Sequence, residues 1–283
     1  QPKKARTAWL IATAETLGDQ ADRVGRAGSA AQERRRRALE FLRGEALPVE
    51  VAWVTAASGA TLADLQFLAE KDLISLGETE IWRDPLAQIS PAAYQAPELT
   101  GGQQAVLTRV IDGLRQPAAA QAPVPYLLHG VTGSGKTEIY LQAAAEALRQ
   151  GRQVVILVPE ISLTPQTVRR FLGRFPGQVG LVHSQLSPGE RYDTWRRARL
   201  GLLNVIVGPR SALFTPLPRL GLIIVDECHD DSYYQDDFLP VYHAVQAALE
   251  YARITRSVLL LGSATPDIGL YHRAEREHWH LLE

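Results

Sequence analysis

Apolar and polar positions follow two rhythms in this chain, and the change between them falls near residue 95. In the first stretch, QERRRRALEFLR (32–43) and TLADLQFLAEKDLI (61–74) carry leucines close to helical spacing: Leu39 and Leu42, then Leu62, Leu65, Leu68 and Leu73. That spacing predicts two helices, the second opened by Thr61 as N-cap with Asp64 three residues on. A short helix near 48–57 fits between them, and SLGETEIWRDP predicts a strand pair with a Gly turn. Helix, short helix, helix and strand pair is the order of a winged helix, and it also fits many small bundles. Beyond ISPAAYQAPELT the rhythm changes. A helix near 102–115 and a loop rich in Pro and Ala, QPAAAQAPVP, precede short apolar runs: YLLHG, VVILVP, VGLVHS, NVIVGP, LGLIIVDE and SVLLLGSAT. Between these lie helical segments such as KTEIYLQAAAEALRQ and TPQTVRRFLGRF. Near-continuous Val, Ile and Leu strands with intervening helices predict an α/β unit whose parallel sheet is covered on both faces. Ligands of such sheets bind beyond the carboxyl ends of the strands. No internal repeat interrupts the pattern.

The length of 283 residues suits two domains, read here as 1–95 and 96–283, and an apolar fraction of 46% is ample for their cores. No apolar run reaches the roughly 18 residues of a membrane span and no signal-like segment opens the chain, so a cytoplasmic protein with no membrane partner is expected. The lone Cys228 excludes an intramolecular disulfide and a Cys-rich zinc site within these residues. Methionine is absent even at position 1, which reads as a piece of a longer protein. A net charge of −1 gives no overall field toward nucleic acid, so DNA contacts would need local patches such as Arg34–Arg37 or Arg196–Arg199. The first patch reads either as a solvated helix face or as part of a DNA-contacting unit. Only Lys71 is basic on the 61–74 helix that could enter a groove.

HGVTGSGKTE places Gly130-x-x-x-x-Gly135-Lys136-Thr137 directly after a predicted strand and before a predicted helix, the context of a P-loop. Gly130, Gly133 and Gly135, with Thr132 and Ser134 between them, let several backbone N–H groups converge on one phosphate, and the helix adds its positive end. Lys136 would reach the β and γ phosphates, and Thr137 would hold Mg²⁺ through its hydroxyl. LIIVDE then carries Asp226 to the sheet edge as a second Mg²⁺ partner, with Glu227 beside it to orient and deprotonate water. A merely structural pair of buried acids would be costly without cations, and the ion and Lys136 supply them. A small-molecule kinase would not need the adjacent Glu followed by x-His.

With D-E-x-H at 226–229, Ser263-Ala264-Thr265 ending the next core strand and the P-loop upstream, the second part resembles the first RecA-like lobe of a superfamily 2 helicase. GVTGSGKTEIYL, LVPEISLTPQ, LVHSQLSPGERYDTW, GPRSALF, YHA and LGSATP narrow the resemblance, over roughly 97–272, to the PriA family of replication-restart helicases. The first part is similar in position and pattern to that family's winged-helix domain. The resemblance implies ATP and Mg²⁺ as cofactors and ATP-driven 3′ to 5′ unwinding. It implies forked and single-stranded DNA, primosome or helicase-loading proteins and single-stranded DNA-binding protein as partners. It further implies a monomer associated with the bacterial nucleoid. It assigns adenine contact to Gln103 or Gln104, and a face following single-stranded DNA to Pro159, Glu160, Thr164, Gln166, Gly208, Arg210 and Ser211. It also assigns coupling between nucleotide and DNA sites to His229 with Ser263, Ala264 and Thr265. The family's second lobe, the arginine that lobe presents and its zinc insertion are not in this sequence.

One segment departs from the family pattern. Cys228, Asp231, Tyr234, Val241 and Val245-Gln246 replace an acid, a Ser, a Lys, an Arg and an Arg-Asp pair, and no Lys or Arg stands between Arg219 and Arg253. Asp226, Glu227, Asp230, Asp231, Asp236 and Asp237 remain, so an anionic wall facing the strand is expected. Tyr233, Tyr234 and Phe238 could stack on bases or pack the loop against the core. Gly101-Gly102 raises the entropy of fixing the start of the adenine-side helix. Cys228 is expected to be a small buried side chain and unreactive. Two readings stay open: a working helicase, or a fork-binding and loader scaffold with little turnover, which the lost cations slightly favour.

Overall fold

Strand β1 (Lys3–Leu10) is an element the hydrophobic rhythm does not announce. It belongs to the first of two compact units, Gln1–Trp82 and Arg83–Glu283, in a computed structural model that describes residues 3–12, 24–45, 48–86, 89, 96–116, 123–236 and 239–283. The break between units lies upstream of the expected one. Arg83 and Asp84 are held to the second unit: the Arg83 amide donates to buried Asp193 (3.0 Å) and Arg197 donates to Asp84 (2.8 Å).

In the first unit β1 is followed by α1 (Ala30–Arg43), β2 (Val49–Glu50), α2 (Val51–Ser58), α3 (Leu62–Glu70) and β3 (Ile74–Ile81). Leu39, Leu42, Leu65, Leu68 and Leu73 are buried together, as the spacing predicts, whereas Leu62 is exposed. Thr61 and Asp64 form the expected reciprocal capping box. The predicted strand pair is replaced by one unbroken strand: β3 runs through Gly77 and pairs antiparallel with β1, in a sheet ordered β2-β1-β3. Gly77 is there for a close approach, because a Cβ would stand 2.9 Å from the Trp9 ring. The Arg34–Arg37 run is not a uniformly solvated face. Arg34 and Arg35 each donate to Asp64 at 2.9 Å, and the Arg35 guanidinium lies 3.8 Å from the centre of the Phe67 ring.

The second unit follows the predicted alternation: α4 (Gly101–Arg115), β4 (Tyr126–His129), α5 (Lys136–Arg149), β5 (Gln153–Leu157), α6 (Pro165–Arg174), β6 (Val179–Leu181), α7 (Pro188–Arg199), β7 (Val205–Gly208) and β8 (Leu220–Val225). A short hairpin, β9 (Tyr234–Gln235) and β10 (Tyr242–His243), leads into α8 (Ala244–Thr255), β11 (Val258–Ser263), α9 (Ile268–Arg276) and β12 (His280–Leu282). The seven-stranded sheet is ordered β12-β4-β11-β8-β5-β7-β6, and its pairings are parallel. Strand period 2 divides the core. Leu222 and Ile224 of β8 pack with α4, α5 and α6 on one face, while Ile223 and Val225 pack with α8 and α9 on the other. Among the described residues no helix is long and apolar enough to cross a membrane.

Candidate functional site

The turn between β4 and α5 carries the predicted P-loop. Gly133 and Gly135 adopt φ of 82° and 86°, a region that disfavours any side chain, and Gly135 is also crowded by the Gln103 amide. Lys136 is buried at the first position of α5, and its ammonium donates to the Gly130 carbonyl (2.8 Å). Gln103 closes the other side: it forms a capping box with Thr100 at the start of α4 and donates from Nε2 to Ser134 O (2.8 Å). Gln104 is exposed on the same helix. Of the two candidates for adenine contact, only Gln103 is tied to the phosphate loop. The Gly101-Gly102 start does not prevent that cap.

Strand β8 delivers the acids to the same place. Asp226 is anchored by its amide to Leu157 O (2.9 Å), and the chain then turns sharply, with Glu227 at φ 45°. Thr132, Gly133, Gly135, Lys136, Thr137, Asp226 and Glu227 all line one cavity of about 560 Å³. Glu227 Oε1 stands 3.7 Å from the Lys136 ammonium, and Glu227 Oε2 is buried without a hydrogen bond. Burial raises the Asp226 pKa, and the neighbouring Glu227 charge raises it further, against the Tyr140 hydroxyl, the Glu227 amide and Lys136. Two adjoining carboxylates with an unsatisfied oxygen call for a cation, so the donor set fits a hard divalent ion. Among the described residues no three His, Cys, Asp or Glu side chains cluster to hold a metal by themselves. An ion shared by Thr137 and Asp226 would therefore complete its shell with phosphate oxygens and water, the usual habit of Mg²⁺.

Behind the acids, β11 is locked to the same turn. The Cys228 amide donates to Gly262 O (2.9 Å), and His229 Nδ1 and Ser263 Oγ are 2.7 Å apart. Ser263 Oγ also accepts from the Thr265 amide (2.9 Å), with Ala264 half-buried between them. The His229 to Ser263-Ala264-Thr265 link expected from the motifs is thus present as geometry. Cys228 is buried, and its thiol is pushed up to about 12, first by burial and then by Glu227 and Asp226. Tyr140, part of the GVTGSGKTEIYL run but given no role by it, is wholly buried and lies against Gly262, where a Cβ would overlap its hydroxyl.

The residues assigned to the strand-following face sit beyond the carboxyl ends of β5 and β7. Thr164, which caps α6, and Gln166, Glu160 and Ser211 are exposed. Glu160 accepts a hydrogen bond from the Ser184 hydroxyl. Pro159 and Gly208 are buried, and Gly208 is required because a Cβ would run into the Val182 carbonyl. The structure separates residues of 228–246 that the sequence left undivided. Tyr233 is fully buried and donates to Asp226 O (2.6 Å), so it belongs to the core and not to a base-stacking surface. Val245 is buried as well, unlike half-exposed Tyr234 and Val241. The segment holds no Lys or Arg of its own, but Arg210 reaches it from outside: its Nη1 donates to Ser232 O (3.0 Å) and Tyr234 O (2.7 Å). A separation of more than 20 residues in sequence hides that contact. Asp230 caps its own turn through the Ser232 amide (2.8 Å), leaving Asp231 and Asp236 exposed. Asp237 and Phe238 lie outside the described residues.

A parallel sheet with a phosphate loop, an acid pair on the second strand over and a hydrogen-bonded link to the next strand defines a helicase-type nucleotide lobe. The chain belongs to the DEAD/DEAH box helicase family, whose pattern matches residues 102–271. Its similarity within that class is to replication restart protein PriA. The Bacillus subtilis protein is 38% identical over 282 residues, covering 99% of this chain and 34% of the relative. The Synechocystis protein is 44% identical over 240 residues (85% and 28%), and that of Haemophilus influenzae 52% over 158 (56% and 22%). These matches support a segment of PriA type. The chain spans about a third or less of the length of these curated relatives. The scaffold alternative is not favoured: the family is that of helicases and the relatives carry the restart name.

Proposed function

We propose that this chain is the ATP-binding lobe, with an adjoining small domain, of a PriA-like replication-restart helicase acting on forked or single-stranded DNA. The observation that carries this reading is the shared cavity of Lys136, Thr137, Asp226 and Glu227, joined through His229 and Ser263 to the strand next door. Bound ATP and Mg²⁺ would supply the phosphoanhydride and its charge-neutralising ion. In this chain, the loop amides and Lys136 grip phosphate, Thr137 and Asp226 position the ion, and Glu227 orients water and accepts its proton. Gln103 faces the adenine side. The exposed residues after β5 and β7, with Arg210 and Tyr234, form the surface for the strand, and the His229–Ser263 link reports nucleotide state toward it.

The first unit is read as a winged helix whose third strand, β1, precedes its first helix, since α1, β2, α2, α3 and β3 keep that motif's order. Primosome or helicase-loading proteins and single-stranded DNA-binding protein are the partners this reading carries. Steady-state ATPase of the full-length protein, with and without forked DNA, tests it. Turnover is expected to rise with DNA and to fall at least about a hundredfold in Lys136→Ala. Turnover indifferent to both would remove the helicase reading.

A further inference from the structure

The cavity has a wall that no motif assigns. Arg170, on α6, lines it together with Lys136, Glu138, Asp226 and Glu227. Its side chain is exposed, and among the described residues it makes no hydrogen bond or ion pair. An unpaired guanidinium on the wall of a cavity that it shares with carboxylates is available to an anion bound there.

Sheet order says which part of a nucleotide that anion would be. The P-loop leaves β4, Asp226 and Glu227 leave β8, and α6 follows β5, in the order β4-β11-β8-β5. Gln103 contacts Ser134 at the P-loop end. Arg170 therefore stands beyond the acids, at the end opposite Gln103. Thr137 and Asp226, which would hold the ion, lie between the two ends, so the terminal phosphate would lie toward the acids. Glu138, the other acid on this wall, is buried and accepts from Gln142 Nε2 (2.9 Å).

We propose that Arg170 binds the terminal phosphate of the nucleoside triphosphate from within this lobe and so distinguishes ATP from ADP. This rests on the nucleotide reading above. The test is equilibrium binding of a non-hydrolysable ATP analogue and of ADP, each with Mg²⁺, to the full-length protein and its variants. Arg170→Ala is expected to weaken the triphosphate about tenfold and to leave ADP within about twofold. Arg170→Lys, a point charge without the planar fork, should recover part of the loss. Arg169→Ala removes the same charge from the adjoining exposed position, off the cavity, and should change neither ligand. Unchanged triphosphate affinity in Arg170→Ala, or an equal loss for both nucleotides, would overturn the proposal. An equal effect of Arg169→Ala would reduce it to general electrostatics and overturn it too. Lys136→Ala serves as the separate check: if it binds both nucleotides like the unmodified protein, the underlying site assignment fails instead.

Discussion

Asp64 accepts hydrogen bonds from the Thr61 amide and hydroxyl, Arg34 and Arg35, although it is almost completely buried. Burial alone would raise its pKa, but these donors outweigh it and hold the carboxyl at about 2, against 3.8 for an ordinary Asp. A depressed folded pKa stabilises above the unfolded value, and that stabilisation is lost as pH falls from near 3.8 toward 2. Asp64→Asn is therefore expected to destabilise the chain at pH 7 by on the order of 2 kcal/mol and to flatten its pH dependence between about pH 4 and pH 2. Urea unfolding across that range reads both effects. A pH profile as steep as that of the unmodified chain would place the acid sensitivity elsewhere. Half of this site is legible in sequence. The Thr61–Asp64 box needs only residues three apart, so a local pattern announces it. The Arg34 and Arg35 contacts span about thirty positions, and no local pattern encodes them.

The altered hairpin region is the element where charge and burial have to be considered together. Tyr234 and Val241 are 47% and 49% exposed beside the surface proposed for the strand, whereas Val245 is 2% exposed on the buried face of α8. The double change Tyr234→Lys, Val241→Arg is expected to tighten single-stranded DNA binding and to steepen the log–log salt slope by about 1.4, roughly 0.7 for each phosphate newly neutralised. Val245→Arg should do neither. It pushes a charge into packed apolar surroundings, and a loss of about 3 kcal/mol or more in thermal unfolding is expected. An unchanged salt slope in the double variant would show that the hairpin never faces the strand. Aligning residue types could not reveal this difference, because exposure at 234, 241 and 245 depends on where α8 meets the sheet. The parallel strands are legible for the opposite reason: a strand buried on both faces must be apolar throughout, as LGLIIV is. Strand β1 shows no alternation, being polar and exposed at its start and buried further on, and it pairs with β3 some seventy positions away, so its pattern is silent, and Gly77 reads as a turn although it lies inside a strand.

Taken as a molecule, the chain gathers the residues proposed to meet nucleotide at the carboxyl ends of its parallel strands and offers them few cations. Lys136 and Arg170 are the basic side chains on the described lining, facing Glu138, Asp226 and Glu227. Phosphoryl transfer needs more than grip: positive charge must surround the developing anion, and water other than the attacking one must be kept out. The family resemblance implies a second lobe that presents an arginine to the γ phosphate. The 283-residue chain alone is therefore expected to bind nucleotide, with an affinity that depends on Lys136, and to show negligible turnover even with DNA present. Nucleotide titration and a phosphate-release assay on the same preparation separate the two steps. Binding without release fits a lobe that grips and aligns but needs a partner surface to complete the transition state. Release at the rate of the full-length protein would mean that Glu227 and the residues around it suffice, and that the second lobe serves movement along DNA and not the chemistry.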